Sequence, residues 1–350
     1  MNQIIKKVIK NLLRFRLIAR LFRNVFSRDS TNIENLKIKR NVAIYDLGVN
    51  PATFDITYFL YEASCYFRNY GIEKFELLII ANMKVRPWEQ KTGMINFINT
   101  EKKKQRIYDI LLPIAHLYQE CESVDVVSNI STVNHILSCA ALVYPYTYSI
   151  RYPQKINHRT IYKHEQKGTK FDGIAINQDD TDRVKQWLEQ YNVDQPFVTL
   201  TLRSYPFQES RNSDYKLLKQ FSNYLNNSGF LVVLIPDTEN IDRPNELRGC
   251  PVFFQGAFNI YQRAALYELA YTNLFTSNGT HSLSVFNKRS SFIFTKVVTE
   301  YHPVEHLEDR GFLYGSQPFS KRRGVWIWEE ESLEVLISAF EKIKNWKNEC

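Results

Sequence analysis

The sequence predicts an α/β protein with two domains, each built on a parallel sheet with helices on its faces. Short apolar or β-rich segments alternate with helix-like segments along most of the chain, and this alternation is typical of parallel sheets covered by helices. One of these segments, residues 230–235, is entirely apolar, as strands buried on both faces are. The length of 350 residues is too great for one ordinary domain and suits two.

Nearly all of the excess positive charge lies in the first 30 residues. The net charge of the chain is +8, and residues 1–30 hold eight of its 45 Lys and Arg residues but only one of its 37 Asp and Glu residues. The rest of the chain is therefore close to neutral and contains no long basic run. A nucleic-acid-binding protein would need a basic face on its folded body, so no nucleic-acid partner is expected.

Residues 1–28 are predicted to form a basic amphipathic helix that lies on a membrane surface. Apolar side chains at positions 4, 5, 8, 9, 12 and 13 share one helical face, and cations fill the remaining positions. No apolar run approaches the ~20 residues that a membrane-spanning helix needs. We expect this helix to bind the anionic inner face of the cell membrane. The alternatives are a helix that docks on the protein itself and a trafficking leader.

The first domain is predicted over residues 40–150 and opens with a strand over 41–47. Thr53 is placed to cap the helix that follows, with Asp55 in the first turn, where the helix dipole favours a negative charge. Further strands are predicted over 75–81, 124–128 and 140–146, with a helix over 106–120.

Residues 151–195 are predicted to be a linker region, and residues 196–330 the second domain. Its first strand ends at Arg203, and its fully apolar strand ends just before Asp237. Other elements predicted in this domain are helices over 214–228, 259–271 and 282–286 and strands over 252–254, 273–276 and 291–294. Residues 331–350 are predicted to be a C-terminal helix that folds back across both domains.

Polar residues follow three strands of the second domain. Arg203 follows the first strand, Asp237 the second, and the group Ser277–Thr280 the strand over 273–276. Ligands of parallel α/β sheets bind beyond the carboxyl ends of the strands. We therefore expect these residues to meet at one ligand-binding edge.

The same segments resemble the donor-binding half of two-domain glycosyltransferases. The resemblance covers about residues 196–295 and lies in Arg203 with the polar loop to Arg211, the strand Gly229–Ile235 and the turn Ser277–His281. It is to heptosyltransferase-like and fucosyltransferase-like enzymes of bacterial polysaccharide biosynthesis. In heptosyltransferases the turn carries Asp-Thr-Gly with a later His, whereas this chain has Asn-Gly-Thr-His at that point. The paired arginines of fucosyltransferases are represented by Arg203 alone.

This resemblance implies a GT-B arrangement, in which two Rossmann-like domains face each other across a cleft. It implies a glycosyltransferase that moves a sugar from a nucleotide-sugar donor to a lipid-linked or growing surface glycan, such as lipopolysaccharide or capsule. The alternatives are a transferase of a non-sugar group, such as pyruvyl, and a catalytically inactive scaffold at the membrane.

A nucleotide sugar carries a diphosphate, and the candidate residues suit that group. The turn at Gly279 offers free backbone N–H groups at the start of a predicted helix. Arg203 and Arg211 can make bidentate contacts to phosphate oxygens, and Asp237 can accept a ribose hydroxyl or a base N–H. The predicted donor-binding residues are Arg203, Arg211, Asn212, Asp237, Ser277, Asn278, Gly279 and Thr280.

Each of these assignments has a structural alternative. Arg203 and Arg211 can instead form ion pairs with Asp214 or Glu209. The turn at Gly279 can be an ordinary strand-to-helix connection, and Asp237 can serve only to form a turn.

Transfer with inversion also needs a base that removes the proton of the acceptor hydroxyl. Asp55, at the start of the first helix, is the preferred candidate, and Asp46, at the end of the first strand, is the second. The alternative for Asp55 is a charge that only stabilises the helix N-terminus.

No metal or other cofactor is expected. The sequence Asp180-Thr181-Asp182 matches a metal-binding pattern of another glycosyltransferase fold, but here it opens a helix, where capping explains it better. The five cysteines are scattered without metal-ligand spacing, which is typical of a protein in the reducing cytosol.

Overall fold

The computed structural model describes residues 40–84, 86–91, 93–191 and 195–349. These residues form two α/β domains, each with a sheet of parallel strands, so the predicted fold class is confirmed. The predicted membrane-surface helix, residues 1–28, lies outside the described residues. Within the described residues, no helix combines the length and the apolar character needed to cross a bilayer.

The N-terminal domain contains a four-stranded parallel sheet with the strand order β3-β2-β1-β4. Its strands are β1 (Arg40–Asp46), β2 (Phe75–Ile80), β3 (Cys121–Val127) and β4 (Ala140–Tyr144). Its helices are α1 (Ile56–Arg68), α2 (Pro87–Lys91), α3 (Thr100–Arg106), α4 (Leu112–Leu117) and α5 (Ile130–Cys139).

A π-helical turn, Ile107–Leu111, joins α3 to α4. Pro113 stands at the start of α4 and has no N–H to donate to the carbonyl group four residues earlier. A local change to π geometry accommodates that missing hydrogen bond without ending the helix. The predicted helix over 106–120 is thus part of a longer helical segment that begins at Thr100.

The C-terminal domain contains a five-stranded parallel sheet with the order β6-β5-β7-β8-β9. Its strands are β5 (Phe197–Thr201), β6 (Leu231–Ile235), β7 (Thr272–Thr276), β8 (Phe292–Thr295) and β9 (Gly324–Trp326). Between the two sheets lie α6 (His158–Gln166) and α7 (Gln178–Glu189). The remaining helices are α8 (Tyr215–Asn227), α9 (Gln255–Phe258), α10 (Ile260–Leu269), α11 (Ser282–Val285), α12 (Val304–Asp309) and α13 (Leu333–Asn348).

The observed elements differ from the expectations at three places. In the predicted linker region, residues 151–195, α7 is the helix expected after Asp180-Thr181-Asp182, whereas α6 was not predicted. Trp187 of α7 contacts Phe253 with its ring edge at a centroid distance of 4.8 Å, so this region is packed. The predicted strand over 252–254 is reduced to a single bridge between Val252 and Leu234. Strand β9 was not predicted because three residues carry too short a pattern to recognise.

The apolar face of helix α13 packs within the C-terminal domain, on the sheet and on α8, so the expectation that it crosses both domains is wrong. Leu336, Phe340 and Ile343 are buried in a cluster whose members all belong to the C-terminal domain. The Phe340 ring meets the Phe230 ring edge-on at 5.0 Å. The helix follows β9 directly, and its apolar face covers the nearest uncovered part of that sheet.

The two domains share an aromatic core on one side of the cleft. Tyr58 and Tyr61 of α1 point away from their own sheet and pack against Phe286 and Phe319 of the C-terminal domain. The ring-centroid distance is 5.1 Å between Tyr58 and Phe286 and 5.7 Å between Tyr61 and Phe319. This buried contact sets how the ligand edges of the two sheets face each other.

Candidate functional site

A cavity of about 600 Å³ lies between the two domains at the carboxyl ends of β5, β6 and β7. In the C-terminal sheet, β6 lies on one side of β5 and β7 on the other, so the connections after β5 and β7 run in opposite directions. Such a switch point is where parallel α/β sheets bind ligands. Of the predicted donor-binding residues, those that line this cavity are Arg203, Arg211, Asp237, Asn278, Gly279 and Thr280.

Arg203 is buried, and most of its donors are engaged by the loop that follows it. One terminal nitrogen donates to the Gln208 carbonyl (3.1 Å) and to the Asn212 side chain, and the other donates to the Phe207 carbonyl (2.6 Å). Asn212 does not line the cavity, and the hydrogen bonds of its side chain are with Arg203 and the Tyr205 backbone. Arg203 therefore shapes its own loop while it faces the cavity.

Arg211 connects the same loop to the end of β7. Its guanidinium donates to the Ser277 carbonyl and hydroxyl and to the Gln208 side chain. Ser277 has a φ of 37°, a left-handed conformation that turns its carbonyl toward Arg211. Burial and the nearby charge of Arg203 lower the pKa of Arg211 to about 10. Ser277 thus acts as an acceptor for Arg211 and does not itself line the cavity.

The alternative of ion pairs to Asp214 or Glu209 is wrong for both arginines. No carboxylate of the described chain lies within ion-pair distance of Arg203 or Arg211. Asp214 instead caps α8 by accepting from the backbone N–H groups of residues 216 and 217.

Asp237 forms a turn and also lines the cavity. Its carboxylate accepts the backbone N–H groups of Ser204 and Glu239, both at 3.1 Å, and so forms the turn after β6. The same side chain lines the cavity. The turn-forming alternative is confirmed, and a contact with ribose or base stays a prediction.

The turn after β7 leads into a short helix. Residues 279–281 form a single 3₁₀ turn that continues into α11, Ser282–Val285, so the helix predicted over 282–286 is confirmed except for its last residue. A helix of four residues has only a small dipole. Thr280 donates to the Asn278 side chain at 2.6 Å, which ties the turn together. The first backbone N–H groups of such a turn still have no acceptor within it.

This turn is also the point where the domains touch. A Cβ atom on Gly279 would lie 3.0 Å from the Cβ of Phe54, so the glycine permits a close approach. His281 donates from Nδ1 to the Asn278 carbonyl (2.6 Å) and accepts the Tyr58 hydroxyl at Nε2 (3.0 Å). Burial lowers the pKa of His281 to about 4, so the imidazole is neutral at pH 7.

The two candidate bases have different surroundings. Asp46 is buried, does not line the cavity, and accepts from Gly48 N–H (2.7 Å) and from the Tyr148 hydroxyl (2.9 Å). Asp55 is half-buried and makes one side-chain hydrogen bond, from the Thr53 hydroxyl at 2.9 Å. Asp55 stands at the N-cap position of α1 and makes no capping hydrogen bond through its side chain, and its charge lies at the helix N-terminus as the structural alternative expects. Its neighbours Thr53 and Phe54 line the cavity.

Sequence reasoning missed the cations that the rest of the chain brings to the cavity. They are Lys102 and Arg106 of α3 and Arg263 of α10. Lys102 pairs with Glu239 across the cleft at 2.8 Å. Five cations and three carboxylates line the cavity in total, and none of its four arginines is in an ion pair with a carboxylate of the described chain. The sequence did not indicate which charged residues of the predicted helices would face this edge.

The described residues contain no group of three or more His, Cys, Asp or Glu side chains arranged to hold a metal ion. Asp180 and Asp182 lie at the start of α7, where Asn177 caps the helix by accepting Asp180 N–H at 2.7 Å. This position confirms that the Asp-x-Asp sequence opens a helix, away from the cavity.

No protein-family model and no curated protein sequence matches this chain. Among solved structures, a glycosyl transferase family 9 protein from Veillonella parvula is similar, with a TM-score of 0.50 and 12% identity over 89% of this chain and 99% of that one. The E. coli ADP-heptose lps heptosyltransferase II has a TM-score of 0.49 and 8% identity over 88% and 99% of the two chains. E. coli heptosyltransferase WaaC with ADP gives 0.44 and 9% over 87% and 98%.

At 12% identity, the similarity to the Veillonella protein supports a conclusion about the fold alone. Its similarity extends over both domains, whereas the resemblance in the sequence covered only about residues 196–295. The predicted GT-B arrangement of two Rossmann-like domains is thus confirmed.

Proposed function

We propose that the chain is a glycosyltransferase that binds a nucleotide-sugar donor in the cavity between its domains. The observation that carries this proposal is the set of four arginines at the strand ends, none of which is in an ion pair with a carboxylate of the described chain. Partly buried cations without counter-ions are costly, and an anionic ligand offsets that cost. A diphosphate placed at a sheet switch point matches the charge and the position of this cavity.

The transfer proposed here breaks the bond between the anomeric carbon and the diphosphate oxygen. Negative charge grows on that oxygen as the bond breaks, and the arginines stabilise it, which is worth a few kcal/mol per donor. The acceptor hydroxyl attacks the anomeric carbon and loses its proton to a carboxylate base. The products are the glycoside and a nucleoside diphosphate.

Asp55 is our proposed base. Its carboxylate is half-buried and has one hydroxyl partner, whereas both oxygens of Asp46 are engaged in holding the fold. Asp55 does not itself line the cavity, but Thr53, whose hydroxyl donates to Asp55, does, which supports a placement of Asp55 beside the cleft. This position is compatible with an acceptor bound by the N-terminal domain and a donor bound by the C-terminal domain.

We further propose that the enzyme works on the cytoplasmic face of the membrane, with a lipid-linked or growing surface glycan as acceptor. The concentration of positive charge in residues 1–30, beside a body close to neutral, supports an anionic membrane surface as partner. Neither a metal nor another cofactor takes part in the proposed reaction.

A thermal-shift screen of the full chain against UDP, GDP, CMP, ADP and TDP, with and without EDTA, tests the proposal. A nucleotide at 100 times its Kd adds about 2.7 kcal/mol to the free energy of unfolding, which gives a clear rise in Tm. We expect one nucleotide to stabilise the protein equally in EDTA. A flat result with all five contradicts a nucleotide donor, and a shift abolished by EDTA contradicts metal independence. The mass of the product then separates transfer of a sugar from transfer of another group.

A further inference from the structure

Arg263 is a buried cation that lines the cavity. The residue is only 6% exposed, and the one hydrogen bond of its side chain to the described chain runs from Nε to the Gly256 carbonyl. Its position on α10 is four residues before Tyr267, so both side chains lie on the same face of the helix. The Tyr267 hydroxyl lies 2.8 Å from Thr201 Oγ1 and 3.4 Å from Thr280 Oγ1. Arg263 is therefore directed at the switch point between β5 and β7.

Arg106 approaches the same cavity from the N-terminal domain. It lies one turn after Lys102 on α3, and the only hydrogen bond of its side chain to the described chain is a long one, 3.4 Å from a terminal nitrogen to the Ala52 carbonyl. It lines the cavity together with Tyr205, Asp237 and Glu239, which all belong to the loops after β5 and β6. Arg106 thus faces the ligand edge of the C-terminal domain from the N-terminal domain.

The four arginines of the cavity differ in how many donors remain available. Arg203 and Arg211 each use most of their guanidinium N–H groups in hydrogen bonds to carbonyl groups and side chains of the loops. Arg263 and Arg106 each use one of five. The bond of Arg263 comes from Nε, so both of its terminal nitrogens remain available, whereas the bond of Arg106 comes from one terminal nitrogen and leaves Nε and the other terminal nitrogen available. Two such nitrogens are suited to bidentate contact with phosphate oxygens. By this count the residues available for an anion are the two that come from helices α10 and α3.

We propose that Arg263 and Arg106 form a clamp for the donor diphosphate, with one arginine from each domain. This inference rests on the proposed function, because it assumes that the anion belongs to a nucleotide sugar. In this arrangement Arg203 and Arg211 are positioning residues that hold the loop after β5 and the turn after β7. Bound diphosphate then links the two domains across the cleft.

Inorganic pyrophosphate is a probe of this clamp that does not depend on the nucleobase. We expect pyrophosphate to bind the full chain in isothermal titration calorimetry, and R263Q and R106Q each to weaken it about tenfold or more, since a charge-assisted contact is lost. The matched control is R183Q, which removes one positive charge from an exposed position on α7 and is expected to bind as the parent protein does.

Hydrogen exchange tests the link between domains. Pyrophosphate is expected to slow amide exchange in α3 of the parent protein, and to leave α3 unchanged in R106Q. R106K keeps the charge without the planar fork, so an intermediate affinity supports a bidentate contact. The Tm of each ligand-free variant shows whether it is folded. If R106Q does not fold, R106K takes its place as the test variant.

The outcomes separate the clamp from the proposed function. If a nucleoside diphosphate binds the parent protein and both arginine variants equally, the clamp is wrong and the donor site survives. If pyrophosphate binds through both arginines but no nucleoside diphosphate binds better than pyrophosphate, the clamp holds and the nucleotide donor fails. Loss in R263Q alone removes Arg106 from the site and with it the link between domains.

Discussion

At the scale of single residues, the function of a cavity arginine depends on what its N–H groups already bind. Arg203 follows a strand and looks like a ligand contact in the sequence, yet most of its donors hold the backbone of its own loop. Arg263 has no distinguishing neighbours in the sequence, yet its terminal nitrogens are free to face a ligand. The same reasoning separates Asp46, whose oxygens are engaged, from Asp55.

The substitution D55N tests the proposed base. We expect kcat to fall by about 10² to 10⁴, because the variant cannot take the acceptor proton, while the affinity for the nucleotide stays unchanged. Steady-state kinetics and calorimetry on the same preparation measure the two effects.

Two comparison variants sharpen this result. D242N removes a carboxylate from an exposed loop and is expected to have the parent activity. D46N places an amide between Gly48 N–H and the Tyr148 hydroxyl and is expected to cost about 1–3 kcal/mol of stability. A D55N protein with full turnover would exclude Asp55, and the search would pass to Asp46.

At the scale of elements, the position of α3 depends on a buried group of charges. Glu89 accepts from Lys103 Nζ at 2.7 Å and from the side chain and backbone N–H of Arg86. These side chains are at most 5% exposed. Burial alone would raise the pKa of Glu89, but the hydrogen bonds and charges of Arg86 and Lys103 outweigh it and lower the pKa to about 2. The triad anchors the helix that carries Lys102 and Arg106 to the cavity.

The substitution E89Q is expected to destabilise the protein by about 3–5 kcal/mol, because two buried cations lose their carboxylate. The folded-state pKa is below the unfolded value, so the contribution of Glu89 is complete above about pH 4.5 and is lost as the pH falls toward 2. Urea unfolding of E89Q and the parent protein between pH 7 and pH 3 measures their free energies of unfolding. The difference between the two values should become smaller toward pH 3.

The control is E101Q, which removes a carboxylate from an exposed pair with Lys104 on the same helix. We expect a change within about 0.5 kcal/mol. A constant difference between E89Q and the parent protein across this pH range would show that folding does not lower the pKa of Glu89.

At the scale of the whole molecule, the two domains are joined by a buried aromatic contact and face each other across a cleft. The aromatic contact of Tyr58 and Tyr61 with the C-terminal domain and the His281 hydrogen bond hold the domains on one side. The cavity lies where the two ligand edges face each other. The basic segment of residues 1–28 precedes this body and supplies most of its net charge.

Deleting residues 1–28 is expected to release the protein from anionic vesicles and to leave nucleotide binding intact. Each Lys or Arg near an anionic surface contributes about 1 kcal/mol, so the deletion removes most of the attraction. Sedimentation with phosphatidylserine-containing vesicles measures it, with neutral vesicles as the control. A truncated protein that still sediments with the anionic vesicles would assign membrane binding to the folded body.

The sequence by itself determined the fold class, the order of most elements and the edge where the ligand-facing residues gather. These follow from local patterns, because strands, turns and helix caps are encoded by neighbouring residues. Arg203, Asp237 and the group Asn278–Thr280 were placed correctly at this edge for that reason. The single β9 strand, with its three residues, was too short for such a pattern.

Only the tertiary structure decided which groups in the cavity remain available to a ligand. The approach of Phe54 to Gly279 and the placement of Arg106 join positions far apart in the chain. The number of free donors on Arg263 depends on the backbone it contacts. These are long-range contacts, set by how helices and loops of both domains pack together, and no local pattern in the chain encodes them.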